Sequence, residues 1–200
     1  MLRILDAGCG DGINLIWLEK TCTRLQLTFE LTGMDYNTLR LERASANVPK
    51  ARIVATALDA TPFPAGAFDL VLCNHVLEHI QDDVSALKEL RRIMVPESLL
   101  ILGVPNEGCL MAGLRNNILQ RSILKTTDHV QRYNKKRLTV SLHQAALQPI
   151  AMHTSGFFVP HLRLAQWLGR YQLGRRLTTS LGKIMPGQAA ELTVICTPQR

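Results

Sequence analysis

The sequence predicts an α/β fold, a mostly parallel sheet covered by helices. Three observations carry that prediction. Short apolar runs alternate with stretches of helical periodicity along the first hundred residues. Four of the five runs end at an acid or a proline: Asp6, Asp35, Asp59 and Pro105. The first run leads straight into three alternate glycines, Leu2-Arg3-Ile4-Leu5-Asp6-Ala7-Gly8-Cys9-Gly10-Asp11-Gly12. Two hundred residues with 46% apolar content suit one domain with an ample core. No apolar run reaches the length of about eighteen residues that a spanning helix needs.

The elements follow in order. Residues 2–6 form a buried strand, and glycines at 8, 10 and 12 let the chain turn sharply and expose bare backbone. Ile13, Ile16, Trp17 and Lys20 keep helical spacing. Residues 27–34 form the second strand, ending at Asp35, and Leu39, Leu41 and Ala44 suit the next helix. The third strand spans 52–58 and ends at Asp59-Ala60. Two prolines turn the chain at 62–67, and Phe68-Asp69-Leu70-Val71-Leu72-Cys73 is the fourth strand. Asp69, at its entry, reads as structural. A helix over 82–94 carries Val84, Leu87, Leu90 and Ile93 on one face. Residues 99–104 make a fifth strand, stopped by Pro105. Further helices are expected at 110–121 and 135–147, with strands at about 149–155 and 190–197. Between those two strands, residues 160–186 insert two short amphipathic helices. Leu164, Trp167, Leu168 and Tyr171 share a face of the first, and Leu173, Leu177, Leu181, Ile184 and Met185 repeat the pattern in the second.

Glycine spacing narrows the ligand. A dinucleotide fingerprint reads G-x-G-x-x-G and seats a pyrophosphate on the helix N-terminus. Here the spacing is G-x-G-x-G, with Asp6 just before it. An acid beside the loop repels a pyrophosphate and suits a ligand carrying an ammonium and a sulfonium, as S-adenosylmethionine does. A nicotinamide oxidoreductase is disfavoured on the same ground.

The string LDAGCGDG resembles motif I of the class I S-adenosylmethionine-dependent methyltransferases. The stretch DATPFPAGAFDLVLCNHVLEHIQD resembles their third-to-fourth-strand region. The resemblance implies a Rossmann-like, doubly wound sheet of seven strands with the last inserted antiparallel. It divides the single domain 1–200 into a cofactor half, 1–106, and a substrate half, 107–200. It implies cofactor contacts at Asp6, Gly8, Cys9, Gly10 and Gly12, and at Asp35 and Tyr36, with Asp35 taking the ribose hydroxyls. Asp59 would hold the adenine amine, with the Ala60 backbone beside the ring, and Asn74 and His75 would complete the set. Family members usually carry a helix before the first strand. This chain enters an apolar run at Leu2, which leaves no room for that helix: either it is missing from the front of this sequence or another element supplies the lid, and no signal peptide is expected.

The cluster His75-x-x-Glu78-His79 would share one face of a helix. It matches the H-x-x-E-H zinc-protease string, but its place after a sheet strand makes that reading a false positive. Quinone O-methyltransferases within the resembled family use an E-x-x-E-H cluster on a divalent metal. His75 stands in place of the first acid, so no metal is expected, and Glu78 and His79 read as capping the helix and lining the acceptor mouth. The string Asp128-His129-Val130-Gln131-Arg132-Tyr133 resembles a His-x-x-x-aromatic element of small-molecule and lipid-linked methyltransferases. His129, with His79 second, is the candidate for a base or acceptor contact. Tyr133 is either a site or a packing aromatic.

Charge is unevenly spread. Residues 1–120 hold 11 Lys/Arg and 14 Asp/Glu, whereas 121–200 hold 12 and 2. The basic half suits an anionic partner. The expectation is methyl transfer to a small-molecule or lipid-linked, anionic acceptor, on oxygen, in the cytoplasm or at the face of a membrane. A nucleic-acid methyltransferase is the alternative, weakened by 5% aromatic content and the lack of an Asn-Pro-Pro-Tyr string. A non-catalytic methyltransferase-like subunit is the other, and the intact glycine loop with Asp59 argues against it. Five scattered cysteines form no C-x-x-C pair and imply reduced thiols rather than disulfides or a zinc site.

Overall fold

The computed structural model describes residues 1–120 and 128–199. In chain order the elements are β1 (Leu2–Ala7), α1 (Ile13–Arg24), β2 (Phe29–Asp35), α2 (Thr38–Asn47), β3 (Arg52–Ala55), β4 (Phe68–Asn74), α3 (Asp83–Ile93) and β5 (Met94–Pro105). Then come α4 (Leu110–Leu114), α5 (Lys135–Gln144), β6 (Leu147–Ser155), α6 (Leu162–Arg170), α7 (Gln172–Ile184) and β7 (Glu191–Pro198). Seven strands form one sheet in the order β3-β2-β1-β4-β5-β7-β6. The first five pair in parallel, and β7 runs antiparallel to both β5 and β6. The expected α/β doubly wound sheet with an inserted last strand is therefore present.

Neighbouring residues of β1 face opposite sides of the sheet, as strand geometry demands. Ile4 packs with Leu15, Leu18, Leu31 and Leu41 under α1 and α2. Leu5 packs with Val71, Leu87, Leu90, Leu100 and Leu102 on the other face. That second core also takes Tyr133, Leu138 and Leu142, so residues from both halves of the chain share it. Side-chain caps set the starts of α2, α3 and α5 among others: Asn37 accepts from Arg40 N–H at 3.2 Å, Asp82 from Ser85 at 3.0 Å and Asn134 from Arg137 at 2.9 Å.

Asp69 is structural, as expected. Its carboxylate accepts from the Arg3 backbone N–H at 2.8 Å and from both arms of the Arg3 guanidinium at 3.0 and 2.9 Å. The bonds from Arg3 hold the Asp69 carboxyl down at about 2. A second acid, Asp83, ties α3 to α5. One of its oxygens accepts from Tyr133 Oη at 2.6 Å and from Ser141 Oγ at 3.0 Å. Tyr133 is thus a packing residue with its hydroxyl satisfied in the core. Stranding either buried hydroxyl would cost about 1–3 kcal/mol.

Several boundaries differ from the sequence reading. The third strand stops at Ala55, because only Arg52–Ala55 find partners on β2. Leu27 belongs to the turn that closes α1, where its N–H donates to Cys22 O at 3.0 Å and Gln26 takes a φ of 54°. The helix expected at 110–121 ends at Leu114 and widens into a π turn over Arg115–Leu119, while residue 121 lies outside the described residues.

Candidate active site

The order of strands reverses between β1 and β4, since the chain winds outward from β1 to β3 and then returns to β4. Beyond the C-terminal ends of such strands lies the usual ligand crevice of an open α/β sheet. A cleft of about 430 Å³ opens there, with Gly8, Asp35, Tyr36, Asp59, His75 and His79 on its wall. A larger groove of about 750 Å³, lined by Arg3, Phe29, Arg52 and Phe68, lies at the opposite, N-terminal ends of the strands. Strand polarity favours the smaller one.

The glycine loop builds the floor of the cleft. Gly8, Gly10 and Gly12 have φ values of 82°, 52° and 85°, in the left-handed region. Gly8 also lacks room for a side chain, because a Cβ there would overlap the Val76 methyl. The N–H groups of Gly8 and Cys9 both donate to Met34 O at 2.8 Å. Asp35, buried at the end of β2, then accepts from Gly10 N–H at 3.0 Å and from Asn37 N–H at 2.9 Å. Two backbone donors fix its carboxylate at the cleft wall.

The other expected cofactor residues divide. Asp59 and Tyr36 are exposed on the wall. Asp6 lies fully buried behind the loop, and neither carboxylate oxygen has a hydrogen-bond partner among the described residues. Burial lifts its pKa to about 7, with Asn14 opposing and the Asp35 charge adding to the rise. The Cys9 side chain faces the core rather than the cleft, where burial pushes the thiol up to about 12. Gly10, Gly12, Ala60, Asn74 and His129 are also absent from the cleft lining. Asn74 points toward β5, where its amide fills the space above Gly103.

The histidine cluster corrects the sequence reading. His75, Glu78 and His79 do not share a helical face, because His75 has a φ of 55° and the following turn is a three-residue 3-10 helix, Leu77–His79. His75 turns toward β7, with Nε2 3.5 Å from Glu191 and Nδ1 3.2 Å from Glu78. Glu191 first, then Glu78, raises the His75 pKa to about 10. His79 turns the other way, with Nδ1 3.3 Å from Asp128, and packs edge-to-face on His129 at 4.8 Å between ring centroids.

His129 reaches this position because its segment is docked on the 3-10 turn. Val130 and Gln131 donate their N–H groups to Glu78 O at 2.9 and 3.0 Å, and the Gln131 amide donates to Gln81 O at 2.7 Å. Glu107, just after β5, accepts from His129 Nδ1 at 3.1 Å and from Arg115 Nη2 at 2.9 Å. Arg115 lies over the Phe158 ring at 4.7 Å. The sequence reading missed Glu107 and Arg115. The available signal was that Glu107 is the single acid between residues 98 and 127, directly after a strand end.

Ligand atoms of Glu78, His79 and His129 also lie within 4.8 Å of one another, and Glu78 Oε2 is buried without a partner among the described residues. These are the described residues able to hold a divalent cation. His75 stands outside that set and His129 stands in it.

Comparisons with known proteins agree with this geometry. A methyltransferase domain family model matches residues 5–102. A "Probable S-adenosylmethionine-dependent methyltransferase" of Mycobacterium tuberculosis is 25% identical over 160 residues, covering 80% of this chain and 53% of that one. The ubiquinone biosynthesis O-methyltransferase of Xanthomonas axonopodis pv. citri is 28% identical over 153 residues, covering 73% and 62%. A crystal structure of a SAM-dependent methyltransferase from Methanosarcina mazei superposes with a TM-score of 0.69 at 15% identity, over 99% of this chain and 92% of that one. Residues 5–102 therefore form a methyltransferase domain, and the chain is similar to S-adenosylmethionine-dependent methyltransferases in sequence and in fold. It spans about half the length of the mycobacterial relative, at 53%.

The His75–Glu191 contact has a defined pH window. Glu191 has its pKa lowered, chiefly by His75, so its contribution is present above about 4.5 and lost in acid. The raised His75 pKa makes the histidine's contribution complete below 6.5 and lost as pH climbs through about 10. His75→Ala is expected to lower Tm at pH 6 and to converge with the wild type by pH 10 to 11. A Tm difference that stays constant from pH 6 to 11 would show that the contact carries no charge.

Proposed function

We propose that the chain transfers a methyl group from S-adenosylmethionine to a hydroxyl oxygen of a small or lipid-linked acceptor. One observation carries the choice of oxygen: the Glu107–His129 pair, set beside the His79 wall of the cleft. A hydroxyl acceptor must lose its proton, and this pair supplies a base with a fixed tautomer. The O-methyltransferase name of the Xanthomonas relative supports the same reading.

Asp35, Asp59 and Tyr36 would hold the nucleoside part, with Gly8 letting it approach the backbone. The bound sulfonium supplies a methyl group on a good leaving group. His129 Nδ1–H rests on Glu107, so Nε2 would be the nitrogen that takes the proton of the acceptor hydroxyl. Glu107, held between Arg115 and His129, would keep the imidazole oriented toward the acceptor. His79 packs against the His129 ring and holds its plane. Most of the acceleration then comes from alignment, with general-base assistance adding about 10²–10⁴-fold.

Calorimetry is expected to detect S-adenosylmethionine and not NAD, with Asp35→Ala weakening the binding by about 1.5–3 kcal/mol, the scale of hydrogen bonds to a charged group. A response to NAD alone would overturn the cofactor assignment.

Methyl transfer to a panel of phenolic and aliphatic alcohols, followed with methyl-labelled cofactor, tests the base. His129→Ala is expected to lower kcat by about 10²–10⁴-fold. Glu107→Gln removes the carboxylate that orients the imidazole, so its kcat should fall as well, with KM for the cofactor unchanged. An unchanged kcat in His129→Ala, or labelling of amines only, would remove the oxygen reading.

The reaction needs no Lewis acid. The sulfonium would carry its methyl group on a good leaving group and His129 would take the acceptor proton, so no step calls for an ion even though Glu78, His79 and His129 could hold one. Activity is therefore expected to survive a chelator. A stoichiometric divalent ion by elemental analysis, lost together with activity in His79→Ala, would prove a resident metal.

A further inference from the structure

The hairpin of α6 and α7 leaves most of its large apolar residues outside the core. None of the residues of α6 is buried, and α7 buries only Gly174 and Gly182. Those glycines mark where backbone meets backbone: a Cβ on Gly174 would overlap Leu168 O, and one on Gly182 would overlap Gly156 O. The first approach packs α7 on α6 and the second packs α7 on the end of β6, while Leu168 and Leu181 are half-buried and the other leucines and both aromatics remain outside. Leu173 and Ile184 are 78% and 75% exposed, and Leu177 between them 51%. Trp167 and Tyr171 are each 54% exposed and touch edge-to-face at 5.4 Å. An isolated exposed leucine means little, but a contiguous exposed stripe on two successive helices marks an interaction surface.

Charge selects the occupant. Residues 160–186 carry five Lys/Arg and no Asp/Glu. Arg176 and Lys183 flank the stripe of α7, and Arg163 and Arg170 belong to α6. A second copy of the same hairpin would bring like charges together. An apolar stripe edged by cations instead matches an anionic bilayer, with rings and leucines at the acyl boundary and guanidinium groups among phosphates.

The position of the hairpin gives this surface a purpose. It leaves β6 at Ser155 and returns into β7 at Glu191, and Glu191 pairs with Pro105 at the C-terminal end of β5. The hairpin therefore rises from the same sheet edge as the cleft, and Glu191 contacts His75 of the cleft wall. We propose that α6 and α7 dock the protein on an anionic lipid surface, which turns the cleft edge of the sheet toward the bilayer.

Co-sedimentation with phosphatidylcholine vesicles, with and without about 30 mol% phosphatidylglycerol, tests this. Binding is expected only with the anionic lipid, and it should fade as salt rises. A Trp17→Phe background leaves Trp167 as the single tryptophan, and its emission should shift to the blue on binding. Charge reversal at Arg170, Arg176 and Lys183 should lower partitioning by more than about a hundredfold, since each cation is worth about fivefold. Arg175 is left in place because its Nη1 donates to Gly169 O at 2.7 Å. Unchanged cofactor affinity in the triple variant would show that its fold is intact. No binding at low salt, or binding indifferent to lipid charge, overturns the proposal. Concentration-dependent dimerisation without vesicle binding would also overturn it and assign the stripe to a second copy.

Discussion

Two N–H groups on one carbonyl hold the candidate site together. Val130 and Gln131 both donate to Glu78 O. Through that clasp a segment from the second half of the chain lies on the turn after β4, and His129 comes to rest against His79. The turn accepts the segment because it is short and begins at a left-handed residue, His75. A regular helix from residue 75 would spend the Glu78 carbonyl on its own ladder. The strain of a positive φ at a histidine is thus offset by contacts on both sides of the ring, to Glu78 and Glu191. The same residue ties the cleft wall to the last strand.

Burial divides the acids of this site into different kinds of work. Asp35 is buried but satisfied by two backbone donors, which fixes its direction. Asp6 is buried without such donors, and its carboxyl sits near neutrality rather than in the usual range. Glu107 holds a cation on one oxygen and an imidazole on the other. Three carboxylates within one sheet edge therefore present a fixed acceptor, a proton-holding group and an orienting anion.

Much of this was legible in the sequence, for physical reasons. Strands and glycine turns are local events, so β1, the loop and Asp35 follow from residue type and spacing. Asp69 at a strand entry proved to be an ion-pair partner of Arg3. Elements were misjudged where partners decide them. The third strand is short because β2 offers it only four partners, and the helix after residue 110 is cut short by a π turn. The histidine triad was misplaced because a three-and-four spacing presupposes a helix, and a single left-handed residue removes that premise. Glu107 and Arg115 escaped notice because their role depends on a contact across 22 residues of chain, which no local pattern encodes.

The place of β7 has a consequence for how the molecule is made. It is the last of the seven strands in the chain, yet it lies between β5 and β6 rather than at an edge. Until residues 191–198 have been synthesised, β5 and β6 each present an open row of unpaired backbone groups, and the gap between them is one strand wide. Sheet completion must then wait for a long-range insertion, the slowest kind of pairing to form and the stage most exposed to wrong partners. On a ribosome, the parallel strands that build the cleft can assemble well before the closing strand appears.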